Sequence, residues 1–142
     1  MTISVKKVLV RIPAILVTLT SWYLSSQSSL PKSISIFTYD KLIHFLSFAF
    51  LAFCWSLWFT PRQWKEKPLR GILYVLIIVG IYGAIDEYHQ SFTPGRDMSL
   101  FDWVADMVGA FCGSLFACVF LRLYYNYKLK KQNIKSEVFY HR

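Results

Sequence analysis

Six of the eight acidic side chains in this 142-residue chain fall into three short polar groups. Carboxylates and imidazoles carry out acid–base catalysis and bind divalent cations, while lysine and arginine bind phosphate groups. The sequence therefore contains the components of one polar binding or reaction site, provided that the fold brings the three groups together. Their members are Asp40, Lys41 and His44 in the first group, Asp86, Glu87, Gln90, Arg96 and Asp97 in the second, and Asp102 and Asp106 in the third.

The segments between these groups are strongly apolar. Hydrophobic residues make up 55% of the chain and charged residues 17%, whereas soluble domains contain about 25% charged residues. This composition excludes a disordered chain and disfavours an ordinary soluble enzyme. Four segments approach the ~20 residues that a membrane-spanning helix requires, namely residues 8–24, 42–59, 71–92 and 102–125. We predict an all-α integral membrane protein, a four-transmembrane-helix bundle that forms a single domain over residues 1–142 and ends in a basic cytoplasmic tail at residues 126–142.

Basic residues indicate the orientation of these helices. Thirteen of the 16 lysines and arginines lie before or near the start of the first segment, between the second and third, or near the end of the fourth or after it, and three lie on the other side. Cytoplasmic loops carry such an excess, so both termini are predicted to be cytoplasmic and the polar groups to lie at the extracytoplasmic face. Membrane topology thus explains the formal net charge of +8. The predicted partner is membrane lipid, and nucleic acid is not expected to bind. A cleaved signal peptide is the alternative for the first segment, but its exit lacks a small-x-small cleavage site.

The third helix must carry polar side chains into the membrane. Its apolar part, residues 72–85, has 14 residues and rises about 21 Å, which is less than the ~30 Å of a hydrocarbon core. Asp86, Glu87 and Gln90 are therefore expected at or below the level of the outer headgroups. A carboxylate at that depth is costly unless it is paired or faces a wet cavity.

Two pairs of glycines predict close helix packing around these side chains. Gly80 and Gly83 lie on the face of the third helix that ends in its polar residues, and Gly109 and Gly113 form a G-x-x-x-G in the fourth. Small residues at this spacing let neighbouring helix backbones approach each other. The P-G pair at residues 94–95 fits a type II turn, which would fold the connecting loop back over the bundle.

Three of the polar residues also have a purely structural interpretation. Asp40 fits a helix N-cap, and Asp102 fits the S-x-x-[DE] capping box that begins at residue 99. A lone histidine such as His44 is more often a satisfied interior residue than a ligand.

Glu87 and Asp106 need a different structural explanation, because both lie too far inside their helices to cap them. The alternative for these two is an ion pair with Lys41 or Arg96. As the only arginine at this end of the bundle, Arg96 is expected to pair with a carboxylate, either Glu87 or Asp86.

Three ordered motifs resemble the VanZ-like family of small bacterial integral membrane proteins, whose founding member is associated with teicoplanin resistance. They are D-K-L-I-H-F at residues 40–45, D-E-Y-H-Q-S-F-T-P-G-R at 86–96 and D-W-V-A-D-M-V-G-A-F-C-G at 102–113, and the match covers about residues 8–122. The S-S-Q at residues 25–27 also resembles the family's exit from its first helix. One departure is Asp106, where the family often has asparagine. The resemblance marks ten positions: Asp40, Lys41, His44, Asp86, Glu87, Gln90, Arg96, Asp102, Gly109 and Gly113.

The resemblance implies a location in the bacterial cytoplasmic membrane and a role in the cell envelope, without supplying a mechanism. The three polar groups together contain six acidic residues but only two basic ones, Lys41 and Arg96. Either some of these carboxylates are protonated or a cation binds there, and that cation would be a divalent metal or a cationic ligand group. We expect a non-catalytic role in binding or modifying surface lipid or another envelope ligand, with glycopeptide resistance as one outcome. The alternative is an enzyme acting on a lipid-linked envelope precursor, with Glu87 and His44 as acid and base.

Overall fold

The computed structural model describes residues 8–28 and 34–140, and side chains in 8–28 and 39–134. Throughout these residues the regular structure is helical, which confirms the all-α prediction. The helices are α1 (Ile12–Ser25), α2 (Ile34–Ser56), α3 (Pro61–Glu66), α4 (Pro68–Gln90) and α5 (Leu100–Tyr140).

Within the described residues, two helices are long and apolar enough to cross a membrane. They are α4, over Pro68–Gln90, and α5, over Leu100–Ile134. The apolar helix α1 has only 14 residues. Helix α2 has 23 residues, but Asp40, Lys41 and His44 lower the hydropathy of its first half.

Two of the observed helices extend beyond the predicted boundaries. Helix α2 begins at Ile34, eight positions before the predicted start. Asp40 therefore lies inside α2, and its interpretation as an N-cap is wrong. Helix α5 continues without a break to Tyr140, through most of the segment predicted as a tail after residue 125. The sequence after residue 125 contains neither proline nor glycine, so nothing in it stops the helix.

The short helix α3 was not predicted as an element. Thr60 caps it: the Thr60 hydroxyl accepts a hydrogen bond from the backbone N–H of Gln63 (3.3 Å), and the Gln63 side chain accepts one from the N–H of Thr60 (2.7 Å). This is a capping box, and the T-P-x-Q pattern at residues 60–63 is its sequence signal. Helix α3 folds the chain back between α2 and α4.

Glycines bring α2 and α5 into backbone contact. A Cβ atom added to Gly109 would lie 2.2 Å from the carbonyl oxygen of Phe45, and one added to Gly113 would lie 1.9 Å from that of Ala49. Neither position accommodates a side chain while the two helices stay in place. The packing role predicted for this G-x-x-x-G is thus confirmed, and it fixes the register between the helix that carries His44 and the helix that carries Asp106.

The two ends of the bundle differ in chemistry. At one end the guanidinium of Arg11 lies 5.2 Å from the centre of the Trp58 ring, and the ammonium of Lys65 lies 5.3 Å from the centre of the Tyr125 ring. At the opposite end lie the end of α1, the first half of α2, the end of α4 and the start of α5. Consecutive long helices therefore run in alternating directions, which gathers the three acidic groups at one end.

Candidate functional site

A carboxylate–histidine–carboxylate trio lies at the centre of the acidic end. The Nδ1 atom of His44 on α2 lies 2.9 Å from Asp106 Oδ1 on α5 and 4.0 Å from Glu87 Oε1 on α4. The three residues are 8%, 1% and 3% exposed respectively. The fold thus brings one residue from each of the three polar groups together around His44.

Each carboxylate of the trio keeps one oxygen atom without a hydrogen-bond partner among the described residues. Glu87 Oε2 accepts a hydrogen bond from the backbone N–H of Ser99 (2.8 Å), while Glu87 Oε1 and Asp106 Oδ2 are buried and have none. Buried polar atoms in folded proteins are nearly always hydrogen-bonded. These two oxygen atoms are therefore exceptions to that rule within the described structure.

Asp102 is neutralised by a basic residue. The Lys41 ammonium on α2 donates to the Asp102 carboxylate on α5. Lys41 Nζ also lies 3.5 Å from the Ser99 hydroxyl, which in turn accepts a hydrogen bond from the backbone N–H of Asp102 (3.3 Å). One of the two hydrogen bonds of the predicted capping box, from the backbone N–H of Asp102 to the Ser99 hydroxyl, is therefore present. Asp102 also serves as the partner of Lys41.

Asp86 is satisfied by neutral partners. Its Oδ1 accepts a hydrogen bond from the Ser25 hydroxyl at the end of α1 (2.6 Å), and its Oδ2 accepts one from the Gln90 amide (3.0 Å). The side chain of Gln90 then links Asp86 to Arg96, whose NH1 group lies 3.5 Å from Gln90 Oε1.

Arg96 does not form the predicted ion pair with Glu87 or Asp86. Its guanidinium contacts Gln90 and donates from Nε to the backbone oxygen of Gln27 (3.2 Å). The Gln90 amide lies between the Arg96 guanidinium and the Asp86 carboxylate and forms a hydrogen bond with each of them. Arg96 is thereby tied to the end of α1.

The loop that leads to Arg96 folds as predicted. Gly95 has a φ of 78°, which requires glycine at the third position of a type II turn. The backbone N–H of Arg96 closes the turn on the carbonyl oxygen of Thr93 (3.0 Å). The loop thus returns across the acidic end of the bundle.

A cavity of about 330 Å³ lies between α1, α2 and the end of α4. Its walls are formed largely by apolar side chains such as Leu16 and Phe48, and its polar lining includes His44 and Ser47. The remaining polar groups come from three directions and are Thr20, Ser21, Ser25, Asp86, Gln90 and Arg96. The cavity therefore suits a molecule that is partly apolar and partly able to form hydrogen bonds.

One contributor to the site was missed in the sequence. Ser25 had been noted only as part of a family-like segment, although its hydroxyl holds Asp86. A second contact of the same helix joins Trp22 to His89 of α4, with their ring centroids 4.1 Å apart. Both contacts involve α1, and nothing in the spacing of residues within one helix indicates which helix lies beside it.

In the part of the chain that the structure describes, two sets of side chains have the composition of a metal site. His44, Glu87 and Asp106 each offer a ligand atom, and these atoms lie within 4.8 Å of one another; Asp40, His44 and Asp102 form a second set by the same measure. Without a metal, the contact between His44 and Asp106 orients the imidazole as an acid–base couple would. The arrangement is therefore compatible both with cation binding and with proton transfer.

The long apolar helices α4 and α5 are typical of a helical membrane protein, and a buried polar cluster lies at one end of the bundle. A family model described as VanZ/LLP1 matches residues 3–122. The chain belongs to this family, which confirms the resemblance found in its sequence motifs. The comparison with curated proteins found no match, and neither did the comparison with solved structures.

Proposed function

We propose that this protein spans the bacterial cytoplasmic membrane four times, with α1, α2, α4 and α5 as membrane helices and both termini in the cytoplasm. The alternating helix directions support this arrangement, as does the concentration of basic residues at the end opposite the acidic site. Large apolar side chains also cover the outer surfaces of the two helices that are too short or too polar to qualify by themselves. Ile15 and Leu19 on α1 and Leu42 and Leu46 on α2 are 47–61% exposed. A lipid environment would cover these side chains.

Reporter fusions test this topology. Alkaline phosphatase fused after residue 142 should be inactive, whereas the same enzyme inserted between residues 97 and 98, at the acidic end, should be active because it folds only outside the cytoplasm. An active C-terminal fusion would contradict the proposed orientation. Equal expression of both fusions, measured by immunoblot, is the control.

We further propose that the acidic end faces outward and binds an amphipathic envelope ligand, such as a surface lipid or a lipid-linked precursor, without transforming it. The observation that carries this proposal is the cavity of about 330 Å³. Apolar side chains of α1 and α2 would contact a hydrocarbon portion, while Gln90 and Arg96 would bind a polar group such as phosphate. Glycopeptide resistance would follow if the bound molecule were a target or precursor of the cell wall.

Photocrosslinking in living cells tests this binding role. A photoreactive amino acid is placed at Ser47, which lines the cavity, and at the neighbouring Leu46, which is 55% exposed on the outer surface. We expect a distinct envelope lipid or precursor to be recovered from position 47 and bulk phospholipid from position 46. Identical lipid profiles from the two positions would contradict a ligand-binding cavity.

A second test compares envelope phenotypes. Glu87→Gln retains the shape of the side chain but removes a buried ionisable carboxyl group, and Glu66→Gln makes the same exchange at the opposite end, where Glu66 is exposed beside Arg62. We expect Glu87→Gln to alter glycopeptide susceptibility or envelope lipid composition, and Glu66→Gln to change neither. If both behave as the wild type at normal expression, Glu87 has no role in the envelope.

An enzyme that acts on a lipid-linked precursor is the second candidate. The specific observation in its favour is that His44 lines the cavity and is oriented by Asp106 at 2.9 Å, with Glu87 nearby. A positioned histidine of this kind serves as a general base. Turnover of a labelled precursor by the purified protein, lost in His44→Gln, would favour the enzyme; binding without turnover would favour the non-catalytic role.

A further inference from the structure

We infer that His44, Glu87 and Asp106 form a binding site for one divalent transition-metal ion. The inference deepens the proposed function, because it assigns an inorganic ligand to the centre of the same polar site. It uses one ligand atom from each of three helices: Nδ1 of the histidine on α2, Oε1 of the glutamate on α4 and a carboxylate oxygen of the aspartate on α5.

The positions of the ligand atoms fit a single ion. Ligands about 2.1 Å from a metal, at angles between octahedral and tetrahedral, lie about 3.0–3.4 Å apart. His44 Nδ1 is 2.9 Å from Asp106 Oδ1 and 4.0 Å from Glu87 Oε1, and the ligand atoms of the three residues all lie within 4.8 Å of one another. Side-chain movements of about 1 Å would bring such atoms to the spacing around one ion. The helix packing at Gly109 holds the first pair together, since Asp106 and His44 lie within one turn of that contact.

The unpartnered oxygen atoms supply an independent reason. Glu87 Oε1 and Asp106 Oδ2 are buried with no hydrogen-bond donor among the described residues, and burying an unpaired carboxylate is costly. The other oxygen of Glu87 is held by the backbone N–H of Ser99 at 2.8 Å. That hydrogen bond orients the carboxylate, as an outer-shell contact does for a metal ligand.

The neighbouring set of Asp40, His44 and Asp102 is a weaker candidate. The ammonium of Lys41 already neutralises Asp102, so this set offers less negative charge to a cation. In the described part of the chain, the ion pairs of Glu87 and Asp106 involve His44 alone. A metal would replace the proton between His44 Nδ1 and Asp106, and binding would release that proton.

The donor set selects the class of metal. An imidazole nitrogen with two carboxylates suits Zn²⁺, Mn²⁺ or Fe²⁺ better than Mg²⁺ or Ca²⁺, which prefer oxygen ligands alone. Three protein ligands leave at least one coordination position for water or for a ligand group. Because His44 also lines the cavity, the ion would lie beside the space in which an envelope ligand is proposed to bind.

Metal binding by the full-length protein in detergent tests the inference. After removal of metals with a chelator, the protein is titrated with Zn²⁺, Mn²⁺ and Mg²⁺, and bound metal is measured by mass spectrometry and calorimetry. We expect about one equivalent of Zn²⁺ or Mn²⁺, with Mg²⁺ binding at least tenfold more weakly, and at least a tenfold loss of affinity in Glu87→Gln and Asp106→Asn. Glu66→Gln is the matched control and should bind as the wild type does.

A spectroscopic measurement on the wild-type protein keeps the test decisive if a variant fails to fold. Co²⁺ bound by one nitrogen and several oxygen ligands gives visible d–d bands without an intense sulfur-to-metal band, and Zn²⁺ should displace it. A sulfur-to-metal band would assign the metal to a cysteine such as the exposed Cys112 and overturn the inference. So would the absence of stoichiometric binding, or unchanged affinity in folded Glu87→Gln and Asp106→Asn. These assays contain no envelope ligand, so their failure is distinguishable from failure of the crosslinking experiment.

Discussion

Substituting Gly113 by alanine should destabilise the bundle, because the added Cβ meets backbone and not side chain. It would lie 1.9 Å from the carbonyl oxygen of Ala49 and 2.7 Å from the carbonyl carbon, whereas ordinary contacts begin near 3.4 Å. Helices α2 and α5 would have to separate locally by about 1.5 Å, the difference between these contact distances. Overpacking of this kind costs about 1–3 kcal/mol.

The gain in helix propensity opposes this cost. Replacing glycine by alanine inside a helix stabilises it by about 1 kcal/mol. A clash with backbone atoms lies at the upper end of the range for overpacking, about 3 kcal/mol. We therefore expect the free energy of unfolding of Gly113→Ala to fall by about 2 kcal/mol. Gly80→Ala is the matched control: its Cβ would lie 2.8 Å from Met107 Sδ, in a flexible side chain that can move away. That variant should remain within about 1 kcal/mol of the wild type.

Reversible unfolding in mixed micelles of dodecyl maltoside and sodium dodecyl sulfate, followed by circular dichroism, measures both variants. The order expected is Gly113→Ala below Gly80→Ala and the wild type. If Gly113→Ala were as stable as Gly80→Ala, the backbone contact with Ala49 would not hold α2 against α5. The register that brings His44 to Asp106 would then need another explanation.

Two further substitutions are checked by the same unfolding measurement. Lys41→Met removes the ammonium that pairs with the Asp102 carboxylate, whose side chain is 9% exposed. We expect the free energy of unfolding to fall by about 2 kcal/mol, less than the about 3–5 kcal/mol of a fully buried pair, because Lys41 is partly exposed. Adding Asp102→Asn to the same chain should recover part of this loss. Trp103→Phe removes the indole hydrogen bond to the backbone oxygen of Gly80 (3.0 Å), with an expected loss of about 1 kcal/mol; no loss would mean that this contact between α4 and α5 is dispensable.

Features governed by neighbouring residues could be predicted from the sequence. Helical spacing placed Glu87 on the same face as Gly80 and Gly83, and all three are buried. The P-G pair correctly indicated a turn with a positive φ at Gly95. In each case the rule concerns a few consecutive residues or one helix face, so it holds whatever packs against the segment.

Features that depend on the register between helices could not be predicted. The carboxylates near Arg96 suggested an ion pair, but the guanidinium bonds to Gln90 and to the backbone at Gln27. Likewise, no local pattern indicates that the N–H of Ser99 binds Glu87. A shift of one helix by a few ångströms would exchange these partners without altering any sequence motif.

The buried carboxylates of the acidic end are surrounded differently, and this difference separates structural from ligand-binding roles. Asp102 has a lysine, and Asp86 has a hydroxyl and an amide, so both are satisfied within the described structure. Among the described residues, Glu87 and Asp106 share only His44 as an ionic partner, and each keeps an oxygen atom without a donor. Because an unsatisfied buried anion lowers stability, a fold that needed these residues only for packing would be more stable with neutral side chains. We therefore expect neutral variants of Glu87 and Asp106 to lose metal binding while keeping or gaining stability, whereas Asp86→Leu, which removes an acceptor of both the Ser25 hydroxyl and the buried Gln90 amide, should lose stability.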